Sequence, residues 1–424
     1  MVGQGIGAKL ALFFSATNLD SVRRIKSQLM SRPTTTSALR IVILTSDNRE
    51  ASRAYGMPTP LMGFAPGALL EGFAALGQEV EMHVVSCLQQ PVACPETILG
   101  NIRYHGLHVP KMGWLRTGYL GCIRAVRKKL RELQPDLVHG QGTERDCAIS
   151  AAFSGFPNVI TVHGNMNALA QLHHSRIGSF FWLQARVENI TLPRTIGIIC
   201  ISDYVANLVG KYGTKTWLVP NAIQKMFFDF PPQQGEPLKK PLLINVGVIC
   251  ERKRQHEVIK LLESLRAEGQ DFDTLFVGVL PAAPYAAAFT TMLAEANRRH
   301  GGFQHLASLD NESFCQRYDR ASAMIHFSNE ESFGLTFAEA IARGLYLFAS
   351  DVGSIRDIAQ GVDRVQIIGQ DDWEGLKSRL RQWLTSGAWK QPRPATAPAA
   401  FIERYHPVSV ARKHLEIYRS VINR

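Results

Sequence analysis

The sequence predicts an α/β protein of two lobes, each a doubly wound parallel sheet. Two observations carry this. Continuous Ile/Val/Leu runs, the pattern of strands buried on both faces, alternate with helical stretches along the chain. That alternation breaks once, in a Pro-, Gln- and Gly-containing stretch at 229–241, and then restarts. Residues 39–44 form the first strand. A helix over 68–76 ended by Gly77 follows, then a strand at 80–86, a helix at 121–133, and strands at 136–139, 158–163 and 197–201. After the break come a strand at 242–248, a helix at 255–268, a strand at 274–279 and a helix at 313–321. A strand at 323–327, a helix at 335–343 and a strand at 345–350 complete the second set. A Pro-rich stretch at 391–398 leads to a last helix over 407–422, expected to cross back onto the first lobe. The organisation read from this is a poorly ordered extension (1–37), an N-terminal lobe (38–228), a linker (229–241), a C-terminal lobe (242–390) and a closing crossover segment (391–424). Two such lobes are expected to face a cleft, with ligands outside the carboxyl ends of the strands.

Composition excludes several classes. A chain of 424 residues holds more than one domain, and 46% hydrophobic with 20% charged residues is ordinary for a globular protein. The seven cysteines are odd in number and contain no C-x-x-C pair, which argues against a disulfide framework or a zinc site and fits a reducing cytoplasm. No uncharged apolar run approaches the ~18 residues of a membrane helix.

The net charge is +11, carried mostly by residues 1–230. Between Arg103 and Arg131 stand eight basic residues with no acidic one between them, and Trp114, Leu115, Tyr119 and Leu120 lie among them, placed to enter an interface. Ile123, Val126, Leu130 and Leu133 recur at helical spacing and are expected to face the core, leaving the basic side chains outside. That pattern points to an anionic membrane surface or an anionic lipid-linked acceptor, hence to a cytoplasmic protein peripheral at the inner face of the membrane. A solvated amphipathic face is the competing reading. No nucleic-acid recognition motif accompanies the charge.

The chemistry concentrates in M-I-H-F-S-N-E-E-S-F-G-L-T-F-A-E-A-I-A-R-G-L-Y-L-F-A-S-D, residues 324–351. A buried strand ends at Ser328, and a short loop enters a helix stopped by Gly344. Glu331 lies in the loop and Glu339 eight residues later inside the helix. A helix N-terminus offers free N–H groups and the positive end of a dipole to phosphate. Gly334 lets a ligand approach the backbone, and Thr336 adds a hydroxyl. Carboxylates accept paired hydrogen bonds from sugar hydroxyls, so one suits a sugar and the other a ribose.

These residues resemble glycosyltransferase family 4, the retaining enzymes of the two-lobed GT-B fold, whose signature E-x7-E is matched by Glu331 and Glu339. The resemblance runs from about residue 39 to the C-terminus. The following S-D-V-G-S-I-R-D is similar to the family's next segment, with Asp357 where Glu is common. N-V-G-V-I-C-E-R-K-R-Q, from Asn245, resembles the basic loop that holds the donor diphosphate. Lys253 matches the family's Lys, Val248 stands where an Arg is usual, and Arg252 resembles a variant of the loop. His163 in I-T-V-H-G-N resembles the family's active-site His, while His139 is read as structural. Gly63 in M-G-F-A-P-G-A matches the glycine-containing loop near the diphosphate.

The resemblance implies transfer of a hexose from a nucleoside diphosphate sugar to an acceptor hydroxyl of a glycan or lipid-linked acceptor, in cell-surface polysaccharide or glycolipid synthesis, with retention. Glu331, His163, Lys253 and Arg252 are the catalytic candidates; Glu339, Phe333, Gly334, Leu335, Thr336 and Gly63 are the donor-binding ones. No cofactor and no metal are expected, the chain being read as showing no D-x-D pair for a cation. A catalytically inactive sugar-nucleotide-binding or scaffold protein of the same fold is the alternative, prompted by Val248.

Overall fold

The computed structural model describes residues 38–231, 238–307 and 309–423, and the expected extension 1–37 lies outside them. The chain divides into two compact units: Met1–Pro220 with Pro407–Arg424, and Asn221–His406.

The first unit holds an eight-stranded sheet. Its strands are β1 Leu39–Leu44, β2 Val80–Leu88, β3 Thr97–Leu99, β4 Ile102–His108, β5 Leu137–Gln141, β6 Asn158–Val162, β7 Gly197–Cys200 and β8 Thr216–Leu218. Their order is β3-β4-β2-β1-β5-β6-β7-β8, parallel except for the β3–β4 pair. Every residue of β5, β6 and β7 is buried, as expected of strands with helices on both faces. Helices α1 Phe64–Ala75 and α2 Leu120–Leu133 belong to this unit. In α2, Cys122, Ile123, Val126 and Leu130 are buried, while Arg124, Arg127, Lys128 and Arg131 are exposed. The chain order reverses between β1 and β5, so the crevice for a ligand lies beyond their carboxyl ends.

The second unit holds β9 Leu242–Val246, β10 Asp273–Val277, β11 Phe303–Leu306, β12 Ala323–His326, β13 Tyr346–Ser350 and β14 Val365–Ile368. The order β11-β10-β9-β12-β13-β14 is wholly parallel and reverses between β9 and β12. Helices α3 Gln255–Ala267 and α4 Leu335–Ala342 follow β9 and β12. The core is built from both faces of the sheet, with Leu262, Phe276, Phe289, Phe348 and Leu380 fully buried.

The unit boundary differs from the expected linker at 229–241. The break falls between Pro220 and Asn221, because the segment that follows is already bound into the second unit. Ile223 N–H donates to the Tyr405 carbonyl at 3.0 Å, Arg343 donates to the Phe230 carbonyl at 2.6 Å, and the Phe227 ring meets Tyr318 edge-on. The crossover is shorter than 391–424 for the same reason. Residues to His406 stay with the second unit, where Tyr405 packs on Phe333, and only α5, Pro407–Ile422, returns to the first. There α5 lies against α1 at Gly72, where an added Cβ would stand 2.1 Å from the Pro407 carbonyl oxygen.

Candidate active site

In the second unit, the loops after β9 and β12 meet at the switch point. After β9 the chain turns through Gly247, whose φ of +151° disfavours any side chain and where a Cβ would stand 3.3 Å from the Lys253 side chain. A 3-10 turn at Glu251–Lys253 then presents Arg252 and Lys253, and Arg254 turns away to pair with Asp371 at 2.5 Å. After β12 the acidic loop is tied down by its neighbour: Ser354 Oγ donates to the Phe333 carbonyl at 2.8 Å, and Gly353 packs so closely under Glu331 that a Cβ would overlap its carbonyl.

The two loops bring Glu331, Lys253 and Arg252 together. Glu331 is 5% exposed; its carboxylate pairs with Lys253 Nζ and lies 3.6 Å from Arg252. Arg252 also donates to the Glu330 carbonyl at 2.8 Å, which fixes the guanidinium. Burial acts to raise the Glu331 pKa, but the Lys253 charge and the His326 contact outweigh it and hold the carboxyl well below the usual range. His326, buried 3.2 Å from the same carboxylate, is pushed below its ordinary value by burial and the Lys253 charge, so it stands neutral there at pH 7. The result is a preformed cation–carboxylate cluster at the entrance of α4.

Gly334 is the N-cap of α4 with φ +84°, and a Cβ there would meet Ile355 at 2.9 Å. Leu335 and Thr336 are half-buried in the first turn, and Thr336 Oγ1 makes no hydrogen bond among the described residues. Phe333 sits differently from a ligand contact: its ring is buried against Tyr405, leaving the backbone to face the loop. Glu339 is 6% exposed, and burial raises its carboxyl to about 8 despite a hydrogen bond from Tyr318. It is a protonated acid at neutral pH, able to donate as well as accept. Val248 is 50% exposed beside this site.

In the first unit, Gly63 is the N-cap of α1, and His163 follows β6 with Nε2 bonded to Gln141 at 2.8 Å. Gln141 also meets His139 Nε2 at 3.1 Å, and His139 Nδ1 is 2.6 Å from the Tyr418 hydroxyl on α5. His139 is thus a buried tie between the sheet and the closing helix. The sequence reading missed Glu144. Its carboxylate lies over Gly142 and Gly164, and burial raises it to about 7 beside the His163 ring. The glycines on either side of Gln141 and after His163 were the available signal.

Two metal-type groupings were also not foreseen. Asp271-Phe272-Asp273 is a D-x-D pair, but it lies at the start of β10, away from the carboxyl ends, where Lys240 and Arg266 neutralise it. Donor atoms of Cys87, Cys122 and Asp146 come within 4.8 Å of one another without any C-x-x-C spacing. The Cys122 hydrogen bond and burial push the Cys87 thiol up, and against the Cys87 hydrogen bond burial raises Cys122 as well, so the trio is a hydrogen-bonded core cluster whose thiols keep their protons.

The expected insertion of aromatic side chains near α2 is corrected. Trp114 and Tyr119 are buried; the Trp114 indole donates to the Val109 carbonyl at 2.9 Å and the Tyr119 hydroxyl bonds Gln184 at 3.1 Å. An amphipathic ring whose polar atom finds a partner in the core is more stable there than in an interface. Among the described residues, no helix is long and apolar enough to cross a membrane.

Two parallel-sheet units of this topology, with an acidic loop and basic loop meeting at a helix N-terminus, have the GT-B fold. The family description "Glycosyl transferases group 1" matches residues 227–397 and "Glycosyltransferase Family 4" matches residues 67–225; the chain belongs to glycosyltransferase family 4. It is 26% identical over 249 residues to the serotype-specific mannosyltransferase WbdA of Escherichia coli, a match that covers 48% of this chain and 29% of that much longer protein. Among solved structures, sucrose-phosphate synthase from Thermosynechococcus elongatus superposes with a TM-score of 0.70 at 17% identity, covering 91% of this chain and 99% of that one. The Anabaena protein HepE in complex with UDP-glucose gives 0.65 at 13% identity, covering 90% and 100%.

Proposed function

We propose that the protein transfers a hexose from a nucleoside diphosphate sugar to a hydroxyl of a glycan or lipid-linked acceptor, with retention of anomeric configuration, in cell-surface polysaccharide or glycolipid synthesis. The observation that carries this reading is the Glu331–Lys253–Arg252 cluster at the start of α4. The bond from the anomeric carbon to the donor β-phosphate oxygen breaks, the acceptor oxygen bonds to that carbon on the same face, and the acceptor proton passes to the departing phosphate. Lys253, Arg252 and the free N–H groups of α4 offset the charge that develops on the leaving diphosphate. Glu331 positions the sugar, Glu339 holds the ribose, Thr336 adds a hydroxyl donor at the helix start, and His163 and Gly63 are assigned to the sugar and diphosphate by the family resemblance. With basic groups serving the diphosphate, no metal is required: turnover should persist in chelator, and loss in chelator restored by manganese would overturn this part.

The test is a panel of UDP, GDP and ADP sugars scored for acceptor-dependent nucleotide release. WbdA is named for mannosyl transfer and HepE was solved with UDP-glucose, so mannose-bearing donors and UDP-glucose come first. Release from at least one donor supports transfer. Saturable nucleotide-sugar binding without release from any donor or acceptor would favour the inactive alternative, to which the exposed Val248 points.

A further inference from the structure

At the opposite edge of the second unit's sheet from Glu331, the amino ends of β9, β12 and β14 border a cavity of about 550 Å³. Its walls carry Lys239, Arg320, Arg364, Lys390 and Arg393, with Trp389 beside them. One carboxylate, Asp319, also lines it, but both of its oxygens are held by Arg343 at 2.9 and 2.6 Å. No ion pair is formed by any of the five cations among the described residues, so the cavity has a large uncompensated positive charge.

Two of the cations are fixed in place. Arg393 donates to the Tyr318 carbonyl at 2.8 Å and to that of Ala321, and Arg364 donates to the Pro392 carbonyl at 2.8 Å. The Arg364 Nε is buried and has no hydrogen-bond partner. Burial lowers the Arg393 pKa to about 10, the nearby Asp319 charge opposing the fall and the Arg364 and Arg343 charges adding to it; burial lowers Arg364 in the same direction. Cations held together at this cost are stabilised by an anion that enters between them. Planar guanidinium groups with spare N–H bonds suit the oxygens of a phosphate. Trp389 is half-buried on the hydrophobic core, with the Lys390 ammonium 5.2 Å from its ring centroid, so an apolar face stands next to the charges. The volume is that of a small-molecule site.

We propose that this cavity is a second ligand site, distinct from the transfer site, which takes a sugar phosphate: the phosphoryl group between Arg364, Arg393 and the flanking cations, the sugar ring against Trp389. Its place on the far edge of the sheet makes it a site for a modulator rather than for the donor.

The probes are glucose 6-phosphate, mannose 6-phosphate, inorganic phosphate and sulfate, titrated into the full chain by calorimetry at constant ionic strength. A sugar phosphate should bind saturably, at least tenfold tighter than inorganic phosphate or sulfate. The double variant Arg320→Gln/Lys390→Gln, both positions exposed, and Arg364→Gln should each weaken it at least tenfold, whereas Lys253→Ala, at the transfer site, should leave it unchanged. Absence of saturable binding, equal binding of inorganic phosphate, or loss in Lys253→Ala with retention in the cavity variants would each overturn the proposal. The last result would assign the sugar phosphate to the transfer site and leave the proposed reaction standing, so the two readings fail separately.

Discussion

A carboxylate taken out of water stays ionised only where cations replace its hydration, and Glu331 meets Lys253 and Arg252. Replacing it by Gln leaves Lys253 unpaired and removes the acceptor for the sugar hydroxyls. Glu331→Gln and Lys253→Ala should each lower turnover by roughly 10²–10³-fold, with the circular dichroism spectrum kept; wild-type turnover in both would refute the site. Glu339 titrates in the other sense. Its folded value, about 8, is above its ordinary 4.5, so the native state holds a proton that the unfolded chain releases. Stability from this group is complete below about pH 4.5 and is lost as pH rises to about 8, at roughly 1.4 kcal/mol per unit. Glu144, raised to about 7, adds loss of the same sign below that pH. Buried histidines held below their ordinary value, among them His139, His326 and His414, act in the opposite sense below about pH 6.5, so thermal melts of the apo protein should fall between pH 7 and pH 8. Glu339→Gln should flatten the segment between pH 7 and 8, and an unaltered profile would show that Glu339 is ionised in the native state. The E-x7-E pair was legible as a pair in the sequence; its opposite ionisation was not, because it depends on Lys253, 78 residues from Glu331.

Among the elements, α2 tests what a linear pattern conveys. The spacing of Ile123, Val126, Leu130 and Leu133 announced the buried stripe; the structure buries the first three and leaves Leu133 half-buried. The ring residues before it were misjudged, since Trp114 and Tyr119 each find a hydrogen-bond partner in the core. Strand β4 escaped detection because I-R-Y-H-G-L-H mixes polar and apolar residues and only Ile102 and Tyr104 of it are buried. The outer face of α2 keeps Arg124, Arg127, Lys128 and Arg131 exposed, while Lys129 pairs with Glu132 at 2.5 Å. We propose reversible docking of this face on anionic lipid, now by charge alone, at about 1 kcal/mol per basic residue. Co-sedimentation with phosphatidylserine-containing vesicles should exceed that with neutral ones, fall in high salt, and vanish on changing Arg127, Lys128, Lys129 and Arg131 to Gln. Equal sedimentation with both lipids, or none, would identify a solvated face.

At the scale of the whole chain, strand–helix alternation revealed two parallel sheets, but composition misplaced the joint between them. Pro and Gly mark where regular structure stops, whereas a unit ends where packing stops, and residues 221–230 pack into the second unit before the composition changes. The last helix is the converse case: it is adjacent in sequence to the second unit, yet its apolar side belongs to the first. Val410, Leu415, Ile417, Tyr418 and Val421 are buried, Tyr418 stacks on Phe73, and its hydroxyl meets His139. At about 1.5–3 kcal/mol for each large buried side chain, their removal rivals the whole stability of a domain, about 5–15 kcal/mol. A chain ending at His406 should therefore lose hydrogen-exchange protection across β1, β5 and β6 while β9, β12 and β13 stay protected. The milder change Gly72→Ala, which drives a methyl into the Pro407 carbonyl, should cost about 1–3 kcal/mol and lower the melting temperature without touching the Glu331 cluster. Protection of β1 and β5 surviving the truncation would show that the first sheet is stable without α5. Equal loss in both sheets would show that the two units unfold as one, and that the final helix holds the molecule together rather than one half of it.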